Sequence, residues 1–130
     1  MSTRAQVRFA TREEGVSFNE HPEKIHAQFY VHHDGYPEGL GLDIAKSIAD
    51  NISVGFGWEI EHVQDLHGDL NYIYYIWSDY DKSTWISIFE GFGNGDDFEC
   101  IFVGRPDKLI GKYGSQLEES YYKLNTNKDG

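Results

Sequence analysis

Between residues 32 and 41 the chain reads His32-His33-Asp34-Gly35-Tyr36-Pro37-Glu38-Gly39-Leu40-Gly41, two imidazoles and two carboxylates within seven positions of a turn. His32 or His33 with Asp34 or Glu38 could exchange a proton with a substrate, the chemistry of a small hydrolase. The same residues invite a metal, with His62 and His67 as distant additional ligands. Consecutive strand residues point to opposite faces, however, so at most His32 and Asp34 converge, and no HExxH or Cys/His framework is present. A polar turn held by hydrogen bonds is the better expectation, and no metal, cofactor or catalytic residue is assigned. Asp34-Gly35 is a turn pair whose glycine can take positive φ, and Pro37 fixes φ two residues later. Gly39 and Gly41 allow a close backbone approach, and the turn amides ahead of a helix could hold an anion, although neither GxGxxG nor GxxxxGK[ST] occurs. The expected site places the Tyr36 ring against the sheet with its hydroxyl bonded locally, and His32, His33, Asp34 and Glu38 beside it.

The elements around the turn follow from periodicity. Thr3 to Ala10 alternates Val7 and Phe9 with Gln6 and Arg8. Ile25 to His33 alternates Ile25, Ala27, Phe29 and Val31 with His26, Gln28, Tyr30 and His32, so the two should pair antiparallel across the polar connection 11–24. Ile44, Ala45, Ile48, Ala49 and Ile52 recur at helical spacing, an amphipathic helix of about three turns. It begins either at Pro37 or after Gly41, and Gly55 and Gly57 end it. Trp58 to Val63 alternates as a further strand. Tyr72 to Trp77 and Thr84 to Phe89, joined by Ser78 to Ser83, form an aromatic and β-branched hairpin. Gly91 to Asp97 is a flexible loop with three glycines, and Phe98 to Val103 a last strand. Pro106 begins a second helix with Leu109, Ile110, Tyr113 and Leu117 on one side, weakened by Gly111 and Gly114. The expected fold is α+β: one domain over 1–124, a mainly antiparallel sheet of five to six strands packed with two helices, and a frayed tail over 125–130.

Composition narrows the partners. The chain has 22 acidic and 11 basic residues, a formal charge of -11, so direct binding to nucleic acid or an anionic membrane is not expected. The charge either maintains solubility or forms a face that occupies a basic groove on another macromolecule. Asp79 and Asp81, then Asp96 and Asp97, fall in segments whose composition predicts loops and are the acids proposed for such a face, with Tyr80 among them. Two helices should leave aromatic sheet surface uncovered, which a homodimer would cover. Cys100, the single cysteine, lies among apolar residues as a small buried thiol. The apolar runs are too short to cross a bilayer and no secretory core follows the early arginines, so the cytoplasm is the expected location.

Met1-Ser2-Thr3-Arg4 together with Tyr30-Val31-His32-His33-Asp34-Gly35-Tyr36-Pro37-Glu38-Gly39-Leu40-Gly41 resembles a group of small uncharacterised proteins of bacteriophages, prophages and bacteria. They share an N-terminal S/G-T-R, a Y-x-H-x-D-G-Y-P-E-G-x-G motif and a tyrosine-rich hairpin. The resemblance covers the first third of the chain and implies a phage-type origin, with the host cytoplasm as location, but supplies no catalytic residue. Charge and resemblance together point to an accessory protein that binds a host protein or nucleoprotein complex, with an anti-defence, inhibitory role. The alternative is a protein that sequesters a nucleotide-like small molecule at the 32–41 turn, and after it the small hydrolase.

Overall fold

The computed structural model describes residues 3–12, 17, 20–22, 24–50, 58–78 and 83–114. The first alternating segments form β1 (Ala5–Thr11) and β2 (Lys24–Val31), antiparallel with Ala5 opposite Val31 and Val7 opposite Phe29. A register shift after Phe9 sets Ala10 opposite Ile25, which moves Ile25 off the face of Phe29 and onto that of Ala10. The strand read from Trp58 onward is β3 (Trp58–Glu61), on the outer side of β2. The aromatic hairpin is β4 (Leu70–Ser78) with β5 (Thr84–Gly93), longer than its densest aromatic stretch. β5 therefore runs into the segment expected to be a flexible glycine loop, because Leu70 still has Gly93 as its partner. β6 (Glu99–Gly104) completes a six-stranded sheet in the order β3-β2-β1-β4-β5-β6.

The fold is α+β, with six strands and two helices among the described residues. All neighbouring strands are antiparallel except β1 and β4, which run parallel with Val7 opposite Tyr74. After β3 the chain has built one edge. It returns to the open side of β1 and begins β4 in the direction of β1, a connection that a hairpin cannot make.

The first helix opens at Pro37, which settles its start: Pro37–Gly41 form a wide turn that runs directly into α1 (Leu42–Asp50). Proline at this position has no amide to leave unsatisfied. Of the residues at helical spacing, Ile44 and Ala45 are buried, Ile48 is half-buried, Ala49 is exposed and Ile52 lies outside the described residues; Leu40 and Leu42 are buried beside them. α2 (Pro106–Leu109) likewise starts with proline and runs into a second wide turn, Ile110–Gly114, that contains the two weakening glycines. Leu109 and Tyr113 are its buried side chains; Leu117 and the tail after Gly114 lie outside the described residues. No helix among the described residues is long and apolar enough to cross a membrane.

Both helices lie on one face of the sheet, over Ala5, Val7, Val31, Tyr74, Ile76, Ile86 and Ile88. The other face carries Tyr30, Ile73, Tyr75, Trp77 and Phe89, and it is not bare. Each of these is buried to 5 % exposure or less, which removes the uncovered aromatic surface expected to drive dimerisation. Connecting segments cover it: His21 stacks on Phe89 with ring centroids 4.0 Å apart, His67 stacks on Tyr30 at 3.9 Å, and Phe98 packs where a side chain at Gly91 would sit.

Candidate functional site

Asp34, not Gly35, takes the positive φ of the central turn, at +58°. Aspartate tolerates this region, so the Asp-Gly pair forms the turn with the roles of its two residues exchanged. Gly35 is required by proximity instead: a Cβ there would stand 2.8 Å from the Ala5 Cβ and 3.0 Å from the Thr3 carbonyl. Its amide donates to Thr3 O at 3.0 Å, and its carbonyl accepts from the Tyr74 hydroxyl at 2.6 Å. Thr3 and Gly35 lie far apart in sequence, so the fold brings the central turn into contact with the residues just ahead of β1.

Two further turn amides are occupied as well. Gly39 N donates to Tyr36 O and Leu40 N to Asp34 O, both at 3.0 Å. With Gly35 N already bonded, these three amides are directed to the chain's own carbonyls rather than to a bound anion.

The side chains expected around Tyr36 divide between two faces. Tyr36 is 39 % exposed, and its hydroxyl donates to Asp34 Oδ1 at 3.4 Å. The ring is therefore less packed than expected, although the local bond is present. His32 leaves the turn and reaches β3, where Nε2 stands 3.0 Å from Glu59 Oε1 and the ring meets Tyr30 edge-on. His33 is exposed, its ring 6.2 Å from that of His32. Burial first, and then neighbouring groups that include Glu38, raise the Tyr72, Tyr74 and Tyr113 phenols on the helix side, and Asp34, ahead of Glu38, raises Tyr36. The division follows from the backbone, since His32 continues the alternation of β2 whereas Glu38 already belongs to the turn that opens the helix.

Strand register gathers acids at this same end. Ala5 is opposite both Val31 and Tyr72, Tyr72 is opposite Glu90, and Glu90 is opposite Glu99. Asp96 and Asp97 are exposed in the connection between β5 and β6, where Asn94 Nδ2 donates to Asp96 Oδ2 at 3.2 Å and Asp96 N to Asn94 Oδ1 at 3.1 Å. Phe92, 77 % exposed, lies in the last turns of β5 beside them in sequence. Asp79, Tyr80 and Asp81 lie outside the described residues. Their flanking strand ends, Ser78 and Thr84, are at the opposite end of the hairpin from Leu70 and Gly93.

The Tyr72 phenol is pushed up to about 12, first by burial, then by Glu90 and its hydrogen bond with Glu90, then by Glu38. The fold favours the neutral phenol, so this stabilisation is full below the ordinary pKa of 10 and is lost as pH rises towards about 12. Tyr72→Phe should remove one phenolate step near pH 12 from an ultraviolet titration of the folded chain; an unchanged curve would contradict the assignment.

A second set of polar groups was not singled out in the sequence. Glu61, Gln28, Arg8, Tyr75 and Ser87 are successive register partners across five strands on the loop-covered face. Gln6 and Gln28, both buried, donate from Nε2 to the same Glu61 Oε1 at 2.8 Å, and His67 Nε2 lies 2.6 Å from Glu61 Oε2. Arg8 bridges Gln6 Oε1 at 2.7 Å and the Tyr75 hydroxyl at 2.8 Å, and that hydroxyl pairs with His21 Nδ1 at 2.7 Å. Burial pushes the His21 imidazole down, towards its neutral form. This network fastens the covering segments to the sheet. The sequence carries no signal for it, because only the place of β1 between two neighbouring strands hides its polar residues.

Cys100 is half-buried and burial pushes its thiol up, the opposite of what a nucleophile needs. Among the described residues no three His, Cys, Asp or Glu side chains gather as a metal-binding set. No protein family, curated protein or solved structure matches the chain.

Proposed function

We propose that the chain is a phage-type accessory protein that captures a basic surface on a host protein or nucleoprotein complex and thereby inhibits it, an anti-defence role. The observation that carries this reading is the gathering of carboxylates at one end of the sheet, with Glu90 opposite Glu99, Asp96 and Asp97 exposed in the adjoining connection, and Asp34 and Glu38 in the turn beside β1. Tyr36 and Phe92 add exposed rings to that end, the residue types that anchor protein contacts. A net charge of -11 supplies the long-range attraction that steers a basic partner. The phage-type origin rests on the resemblance of residues 1–4 and 30–41. The sequestering alternative is weakened by the turn amides, which bond within the chain.

The test is capture from a bacterial lysate by the immobilised chain, with retained proteins identified by mass spectrometry. Asp96→Asn, Asp97→Asn and Glu38→Gln combined should weaken capture roughly tenfold and flatten its salt dependence, since an exposed charge pair contributes up to about 1 kcal/mol. Capture that is undiminished, or equally salt-sensitive, would remove the acidic end as the binding surface.

A further inference from the structure

The two edges of the sheet differ in chemistry. β3 is four residues long and carries the exposed carboxylate of Glu59, so an arriving strand meets a charge, a common protection against edge pairing. β6 has no charge between Glu99 and Arg105, and Cys100, Ile101, Phe102 and Val103 are all half-buried. It is apolar on both faces, because Phe102 packs against the helix-side core while Cys100 and Val103 pack against the loop-side one. Among the described residues no strand pairs with β6 on the side away from β5.

Charge along β6 has a direction. Asp96, Asp97 and Glu99 mark its start, whereas Arg105, Lys108 and Lys112 rim a groove of about 530 Å³ at its end. Asp107 is the one acid on that rim. In a chain with twice as many acids as bases, three bases at one strand end reverse the local sign.

We infer that β6 is the surface through which two copies of this chain pair, edge to edge and antiparallel, about a two-fold axis perpendicular to the sheet. Parallel pairing would set acids against acids; antiparallel pairing brings each acidic start to the other copy's basic end, and the symmetry makes that contact twice. Directly opposed residues of an antiparallel pair share a face. With the axis between Ile101 and Phe102, Glu99 stands opposite Gly104 of the second copy, and Cys100 opposite Val103. This register respects both faces. Glu99 is opposite Glu90, itself opposite the helix-side Tyr72, and Gly104 is opposite the helix-side Ile86, while Cys100 and Val103 are both on the loop side. Lys108 adjoins Gly104, its Cβ 3.4 Å from where a Gly104 Cβ would be, so the arriving Glu99 meets Lys108. Lys112, whose Nζ reaches the Ile101 carbonyl at 3.5 Å and lies over the Phe102 ring, covers the edge in the single chain and gives way to the second strand.

Light scattering on the full chain alone, at high micromolar concentration and low ionic strength, should give twice the 15.0 kDa chain mass. Glu99→Lys and Lys108→Glu should each run as monomers, with dissociation constants raised about tenfold or more. An equimolar mixture of the two should return to the dimer mass, since each altered charge then meets its opposite. A monomeric unaltered chain overturns the inference, as does a dimer indifferent to both substitutions, and a mixture that stays monomeric overturns the antiparallel register. No host partner enters these measurements, so they stand or fall independently of capture by the acidic end.

Discussion

Gly35→Ala should destabilise the chain by about 2–4 kcal/mol, the combined cost of overpacking a closed site and straining the hydrogen bonds made there. The added methyl has nowhere to go between the Ala5 Cβ at 2.8 Å and the Thr3 carbonyl at 3.0 Å. To admit it, the turn must lift from β1, which stretches both the bond from Gly35 N to Thr3 O and the bond from the buried Tyr74 hydroxyl to Gly35 O. Asp34→Gly provides the contrast: at φ +58° glycine is unstrained, so this substitution should cost far less. Urea unfolding of the two variants distinguishes the mechanisms, and an inverted order would show that backbone conformation rather than contact dictates the turn.

Glu61→Ala should be comparably damaging, by about 3 kcal/mol, because it strands groups that cannot reach water. Gln6 and Gln28 are 0 % and 1 % exposed and both donate to one oxygen of this carboxylate, while His67 holds the other. The Asp65 carbonyl still accepts from both amides, at 3.2 and 3.1 Å, which limits the loss. Glu61→Gln retains an acceptor for the two amides and should cost markedly less. Thermal or urea unfolding checks both, and an Ala variant as stable as the Gln variant would mean that the network is already hydrated.

Periodicity made most of the elements legible. The alternation of Ile25 to Val31, the helical spacing of Ile44, Ala45 and Ile48, and the aromatic density of the hairpin all correspond to observed elements. The parallel partnership of β1 and β4 was not legible, because alternation states which face a residue occupies and is silent about the neighbouring strand. The same silence hid the network: Gln6, Arg8 and Gln28 look like a solvated face until β1 is known to have neighbours on both sides. At the candidate site, proximity in sequence misled. His32, Asp34 and Glu38 are close along the chain, yet a strand gives way to a helix between them, and His32 pairs with Glu59 on β3 while Asp34 accepts from Tyr36 within the turn. The Asp-Gly pair marked the turn correctly, but it carries the same signal whichever of its residues takes the positive φ.

The place of β1 between β2 and β4 also bears on how the chain reaches its fold. β1 is the seam of the sheet, with β3 and β2 on one side and β4, β5 and β6 on the other. Its contacts towards β2 span a short stretch of chain, whereas Arg8 and Tyr75 are 67 positions apart. During synthesis the seam strand emerges before both of its neighbours and can form its hairpin with β2 early, yet its other edge stays open until the ribosome has delivered β4. Long-range parallel pairing of this kind is slow, because loop-closure entropy is lost before the contact forms. The half-made sheet therefore exposes the hydrogen-bonding edge of its most central strand for the longest time, and the late arrival of β4 is what closes it.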